Sequence, residues 1–351
     1  MDREIKYCQA INEALGICMQ NDPNVYLIGL GVPDPKGIFG STLGLLKKFG
    51  SQRVMDMPTS ENGITGIAIG SALTGMRPIM THQRIDFAIL AMEQIVNQAA
   101  KWYYMFGGQA SVPLVIRMII GRGWGQGPHH SQSLQAWFAH IPGLKVVMPT
   151  TPYDVKGLMI SSVEDNNPVI FIEHRWLYNI SGIVPEGYYR TPIGVSRITR
   201  EGKDLTIVAT SYMTIEAMRA ADLLRKEGIY VEVIDVRTLR PLDDTMIFES
   251  VQKTGRLIVA DTGWQSFGVS AEIVARVAEK ALHDLKYPPQ RVALPETPSP
   301  TTFVLANQYF PTSRNILMTA KQMDLKIPDH LLNAETPPLL DIPDSSFSGP
   351  F

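Results

Sequence analysis

The chain has 351 residues, 45% of them hydrophobic and 19% charged, with a formal net charge of −2. That length makes about two domains with ample core for each, and the near-neutral balance gives no electrostatic case for nucleic acid or an anionic membrane surface. Two cysteines, Cys8 and Cys18, are too few for a disulfide framework, and no run approaches the ~18 apolar residues of a membrane span. No apolar signal core follows the N-terminus, so the expectation is a soluble, cytoplasmic protein. Its mean hydropathy of zero fits a chain that buries a large subunit interface.

In chain order, residues 3–20 carry Ile5, Cys8, Ile11, Leu15 and Cys18 at helical spacing. Residues 25–31 form a short apolar run ending in glycine, the look of a buried parallel strand. Residues 53–56 read as the next strand, 77–81 as another, 86–106 as one long helix and 112–120 as a strongly apolar strand. Helix 133–140, strand 144–148, helix 152–164 and strand 169–173 follow. Strand–helix alternation of this kind argues for an α/β fold with a parallel sheet covered on both faces. A second alternation occupies residues 205–294, and a helix is expected over 313–323. The resulting division is a first domain over 1–178, a linker over 179–192, a second α/β domain over 193–328, and a Pro-rich extended tail over 329–351.

The stretch Met57-Pro-Thr-Ser-Glu61 halts a strand and supplies N-cap residues, so a helix should begin at Glu61. Gly63, Gly66 and Gly70 share one face of it, and each helical glycine costs roughly 1 kcal/mol against alanine. Their clustering suggests a backbone or ligand close by. Ile64, Ile67, Ala68, Ile69, Ala72 and Leu73 make the helix apolar nearly all round, which predicts that it is buried. A carboxylate at its mouth suits the helix dipole, and it equally suits a ligand contact.

Gly121-Arg-Gly-Trp-Gly-Gln-Gly127 follows a strand but lacks the Gly-Lys-Ser/Thr ending of a phosphate loop, and reads as a mobile active-site loop. His129 and His130 close it. Adjacent histidines are poorly placed to share a metal, whereas one of them could serve as a general acid or base. His82, Arg84 and Asp86 fall at a strand end, where open α/β sheets place ligands, although a loop salt-bridge cluster would look the same. There is no Gly-x-Ser-x-Gly elbow, no zinc spacing and no Gly-Asp-Gly magnesium–diphosphate motif.

Several stretches resemble, in order, the beta subunit of the thiamine-diphosphate-dependent decarboxylating component of 2-oxo acid dehydrogenases, the pyruvate and branched-chain type. They include Thr59-Ser-Glu-Asn-Gly-Ile-Thr-Gly-Ile-Ala68, Ala91-Met-Glu-Gln-Ile-Val-Asn-Gln-Ala-Ala-Lys101, His130-Ser-Gln132, Asp165-Asn-Asn-Pro168 and Val236-Arg-Thr-Leu-Arg-Pro-Leu242. The resemblance implies two parallel-sheet α/β domains, a pyrimidine-binding domain followed by a transketolase C-terminal domain.

It also implies roles. Glu61 would hydrogen-bond N1′ of the cofactor's aminopyrimidine, Phe87 would pack on that ring, and Gln83 would join the cofactor contacts. His130 would act near substrate and acyl acceptor. Leu114, Ser162, Asp165 and Asn167 match positions around a potassium ion, although Asp165-Asn-Asn-Pro168 is equally a plain turn. Diphosphate and magnesium would come with an alpha subunit carrying the Gly-Asp-Gly motif, in an α2β2 assembly that could dock a lipoyl acyltransferase core. Where the family usually carries apolar residues before Phe87, this chain has His82 and Arg84, and His129 is an extra histidine. These three are read as substrate contacts, suited to a hydroxylated or anionic substrate. The expected activity is decarboxylation of a 2-oxo acid with acyl transfer, usually to lipoamide. A split transketolase or acyloin-type ligase is the alternative, and a non-catalytic scaffold subunit the third.

Overall fold

The computed structural model describes residues 2–122 and 125–332. Gly123, Trp124 and residues 333–351, which include most of the expected tail, lie outside the described residues. The chain divides into two units, Met1–Gly121 with Trp137–Ile193, and Arg122–Ala136 with residues 194 onward.

The first unit opens with strand β1 (Asp2–Lys6) and helix α1 (Tyr7–Asn21), where the spacing had suggested helix alone. The reason is tertiary. β1 pairs antiparallel with a later strand, Ser181–Pro185, matching Asp2 to Pro185 and Lys6 to Ser181. The stretch read as a linker over 179–192 therefore begins with a strand and belongs to the first unit. Next come β2 (Val25–Gly29), α2 (Leu45–Phe49), β3 (Val54–Met55), α3 (Glu61–Leu73) and β4 (Arg77–His82).

The long helix expected over 86–106 forms, uninterrupted from residue 85 to 105 but with local changes of pitch. A single turn α4 (Ile85–Ala88) passes through a tight turn, Ile89–Ala91, and a wide π-helical stretch, Gln94–Ala99, into α5 (Ala100–Met105). Wide turns of this kind cluster at functional sites. Here one puts Gln94 against α3, where a Cβ on Gly66 would lie 3.2 Å from its Oε1. Then follow β5 (Val115–Ile120), α6 (Gln135–His140), β6 (Lys145–Val147), α7 (Pro152–Glu164), β7 (Val169–His174) and β8 (Ser181–Pro185). α7 starts as its sequence dictates, with Pro152 in the first turn and Thr151 Oγ1 accepting the Asp154 N–H at 3.0 Å.

Within this unit the strands lie in the order β6-β7-β5-β4-β2-β3, all parallel. β2, β5 and β7 are buried along their whole length, as strands covered on both faces must be. The order reverses direction between β2 and β4. Open α/β sheets bind ligands at the carboxyl ends of strands flanking such a switch.

The second unit holds β9 (Arg197–Arg200), β10 (Leu205–Ala209), α8 (Tyr212–Lys226), β11 (Val231–Asp235), β12 (Thr238–Arg240), α9 (Asp244–Thr254), β13 (Leu257–Trp264), α10 (Val269–Lys280), β14 (Gln290–Leu294), α11 (Phe303–Tyr309) and α12 (Ser313–Lys321). Its sheet runs β14-β13-β10-β11-β9, parallel except for β9 at the edge. A core of Leu205, Ile207, Val233, Leu224, Ile316 and Leu317 joins that sheet to α8 and α12. No helix among the described residues is long and apolar enough to cross a membrane.

Helix α3 begins at Glu61 as expected, but it is only half buried. Ile67 is 59% exposed and Gly63 and Gly70 are open, because none of the described residues covers that side. Of the three glycines, Gly66 is the one that another segment approaches closely; among the described residues no other segment comes within 4 Å of where a Cβ on Gly70 would stand.

Candidate active site

The carboxyl ends of β2, β3 and β4 converge at the switch point. Past the end of β2, Leu30 O accepts the Gln83 Nε2–H at 2.9 Å, and the Gly31 N–H donates to Asp56 Oδ1, just beyond β3, at 2.9 Å. Gly31 has φ +73°, and a Cβ there would sit 2.7 Å from Gln83 Nε2. Only glycine accepts both constraints, so the side chain of Gln83 is locked by the backbone beneath it.

Glu61 heads α3 and is 6% exposed. Thr65, one turn on, donates to Glu61 O at 2.7 Å and lies 3.2 Å from Met80 Sδ of β4, which fixes the start of α3 on the sheet. Among the described residues none donates a hydrogen bond to the Glu61 carboxylate. The helix N-terminus favours its charge. Its acceptor capacity is left for a donor the chain does not supply.

His82, the last residue of β4, is 2% exposed, and its Nε2 has no partner among the described residues. Burial pulls its pKa down to about 4, so near neutrality the ring is uncharged. Arg84 is equally buried, and its Nη1 lies 3.4 Å from Gly121 O. Burial lowers its pKa to about 10, Asp86 opposing and Arg175 adding to the shift, and it stays cationic. Phe87, half-buried, stands in α4 directly after these polar residues. Glu61, His82, Gln83, Arg84 and Phe87 thus all belong to the first unit and to its switch-point end.

His129 and His130 do not. Their segment, Arg122–Ala136, is part of the second unit, with His129 exposed and His130 half-buried. Chain order had put them in the first domain, but the contacts of their neighbours put them in the other.

The four positions matched to a potassium ion lie where β5 begins, where α7 ends and in the turn between α7 and β7. Leu114 O accepts the Val169 N–H at 2.9 Å, and Ser162 Oγ donates to Leu158 O at 2.7 Å. Asp165 accepts the Asn167 N–H at 2.9 Å and is ion-paired with Lys145. Asn167 Oδ1 is buried and has no partner among the described residues. The set offers one unused neutral oxygen, while its carboxylate is already neutralised by a lysine.

Sequence reasoning missed two buried polar clusters. In the first unit Arg117 pairs with Glu173, which also accepts the Tyr178 hydroxyl; in the second Asp261 accepts Gln135. A charged residue inside an apolar strand, Arg117 in 115–120, was the available signal for the first. Nothing in local sequence marks the second, whose partners are 126 residues apart.

Comparison with known proteins bears on this geometry. Residues 3–181 match the family described as transketolase, pyrimidine binding domain, and residues 194–316 match transketolase, C-terminal domain. The chain is 45% identical over 332 residues to the acetoin:2,6-dichlorophenolindophenol oxidoreductase subunit beta of Cupriavidus necator, covering 92% of this chain and 98% of that one. It is 41% identical to the pyruvate dehydrogenase E1 component subunit beta of Bacillus subtilis, covering 90% and 97%. A solved structure, a split gene transketolase as an inactive beta4 tetramer, superposes with a TM-score of 0.73 at 22% identity over 91% of this chain and 98% of that one, which speaks for the fold. The chain belongs to the family of beta subunits of thiamine-diphosphate-dependent 2-oxo acid dehydrogenases, built from a transketolase-like pyrimidine-binding domain and a transketolase C-terminal domain.

Proposed function

We propose that this chain binds the aminopyrimidine half of thiamine diphosphate at the β2–β4 switch point and, with an alpha subunit, decarboxylates a 2-oxo acid and passes the acyl unit on. The observation that carries this reading is Glu61, a buried carboxylate at a helix N-terminus whose acceptor capacity no described residue uses. Its chemistry fits N1′ of an aminopyrimidine, which can share a proton with a carboxylate. Phe87 offers a ring to pack on the pyrimidine, and Gln83, clamped on Leu30 O, walls the same end of the sheet. When bound, thiamine diphosphate supplies the carbon nucleophile and the electron sink for decarboxylation. Glu61 holds the proton at N1′, and His130 delivers or accepts one at the oxygen of the reacting carbonyl. The alpha subunit would bring the Gly-Asp-Gly motif with magnesium and diphosphate, in an α2β2 assembly. Open apolar groups such as Ile67, Leu90 and Tyr104 on the first unit support a partner-covered surface. A potassium ion at Leu114, Ser162, Asp165 and Asn167 is supported by the unused Asn167 oxygen and opposed by Lys145 on Asp165. We place the protein in the cytoplasm, in keeping with two free cysteines.

The test is Glu61→Gln in the co-purified α–β complex. Turnover should fall by about 100-fold or more, with assembly intact; full turnover would remove Glu61 from this role.

A second reading concerns the substrate and acceptor. Buried His82, with an unpartnered Nε2, and cationic Arg84 suit a substrate bearing a hydroxyl or a second anionic group, with His129 as a further contact. The relative at 45% identity carries acetoin, a hydroxyketone, in its name. Transfer to a carbonyl acceptor in place of lipoamide, without an acyltransferase core, belongs to this reading. Assaying carbon dioxide release from 2-oxo acids and from hydroxyketone or sugar donors, with and without lipoamide, separates the two.

A further inference from the structure

The segment Arg122–Ala136 leaves the first unit after Gly121 and rejoins it at Trp137, and between those points it is fastened to the second unit. The Arg122 guanidinium lies 4.4 Å from the Phe310 ring and 5.8 Å from the Tyr212 ring. Gly127 has φ +60°, which strains any other residue, and a Cβ there would sit 2.6 Å from Thr301 Oγ1, so the chain runs close against Thr301. Ser299 Oγ donates to Ser131 O at 3.3 Å. Gln135 Nε2 donates to Asp261 Oδ1 at 2.9 Å and to Thr262 Oγ1 at 3.2 Å. Between the Gly127 and Ser131 attachments, the His130 N–H closes a turn on Gly127 O at 3.4 Å. That turn presents Pro128, His129 and His130 while Gly127 and Ser131, its points of attachment, are buried.

Asp261 is a rigid anchor. It is fully buried in β13, and its Oδ1 also accepts the Thr210 hydroxyl at 3.0 Å and the Gly263 N–H at 3.2 Å. Its Oδ2 faces Gly268, the residue before α10, whose Cβ would lie 3.4 Å away, so a helix N-terminus sits beside the charge. A carboxylate held from several sides is a stronger and better-directed acceptor for Gln135 than a neutral group would be.

We propose that the C-terminal unit contributes to the reaction by holding the His129–His130 turn, with Asp261, acting through Gln135, and Thr301 as positioning residues for proton transfer by His130. This rests on the role given to His130 above. The turn is short and attached on both sides, at Gly127 to Thr301 and at Ser131 to Ser299, so its histidines are pre-placed instead of being ordered at each turnover.

The experiment uses the full α–β complex. Gln135→Glu sets a carboxylate against Asp261. We expect kcat to fall by about tenfold or more with KM for the 2-oxo acid little changed, and amide exchange over residues 127–136 to rise. Thiamine diphosphate affinity should stay the same. If Gln135→Glu does not fold, Gln135→Leu, which removes the hydrogen bond without adding charge, is read in the same way. Unchanged kcat or unchanged exchange would overturn the proposal. Full turnover in His130→Ala would overturn the assignment of His130 itself, a result obtained without any Gln135 variant.

Discussion

Arg117 and Glu173 form a two-point pair inside the parallel sheet, Nε to Oε1 at 2.6 Å and Nη2 to Oε2 at 2.9 Å, with both side chains fully buried. Arg117 stands opposite Phe171 in the β5–β7 register, so Glu173, two residues further on, lies on the same face. Ser41 Oγ accepts a further Arg117 N–H at 2.8 Å, and the Tyr178 hydroxyl donates to Glu173. Burial, with Glu173 beside it, pushes the Tyr178 phenol well above the usual range, so it stays a donor.

Breaking that pair from one side should be costly. Glu173→Ala leaves a buried guanidinium without its counter-charge, and about 3–5 kcal/mol of stability should be lost from the first unit. Replacing both residues together, Arg117→Met with Glu173→Leu, should recover most of it. Denaturant midpoints for the single and double variants check this.

His82 makes stability depend on pH. Its folded pKa of about 4 lies below its ordinary 6.5, so between those values the unfolded chain binds more protons. Its contribution is fully present above pH 6.5 and is lost as pH falls toward 4, by up to about 3 kcal/mol in all. His82→Phe should flatten the dependence of the melting temperature on pH within that window, and an unchanged slope would mean that the ring is not held neutral.

Much of this architecture was legible because it is local. Strand–helix alternation, the turn at Met57–Ser60 and the glycine-ended run at residues 25–31 each follow from short-range chemistry, and α3 starts at Glu61 as its cap residues dictate. The misses are all non-local. β1 is a strand because Ser181–Pro185 pairs with it, which no periodicity in residues 2–6 could disclose. The helix through Phe87 forms as expected, but its tight and wide turns do not show in its apolar spacing, and α3 is open on one side because burial depends on what covers a surface as well as on its hydropathy. Of the proposed site, Glu61 was visible as a carboxylate at a helix start, whereas the roles expected of Gln83 and Phe87 came with the family resemblance. The attachment of His130 to the second unit came only with the contacts of Gly127, Ser131 and Gln135.

The open side of α3 gives an assembly prediction. Ile67→Glu should change the stability of the isolated chain by no more than about 0.5 kcal/mol, since the side chain is already in solvent. If a partner subunit covers this face, the same change should shift the α–β complex toward free subunits, as read by sedimentation velocity. Undisturbed assembly would place the interface elsewhere.

The potassium reading is tested by melting temperature in potassium against sodium at equal ionic strength. An ion at Asn167 should raise the melting temperature in potassium, and Asn167→Ala should abolish the difference. Equal melting in both salts would leave the Asp165 carboxylate to its ion pair with Lys145.

The central claim is that Glu61 presents its unpartnered carboxylate to the aminopyrimidine. The most direct measurement is a thiamine diphosphate titration of the α–β complex by calorimetry, with carbon dioxide release from a 2-oxo acid followed on the same samples, for the native chain and Glu61→Gln. The account predicts affinity weakened by about tenfold or more and release falling to background in an intact complex. Native affinity together with native release in Glu61→Gln would contradict it.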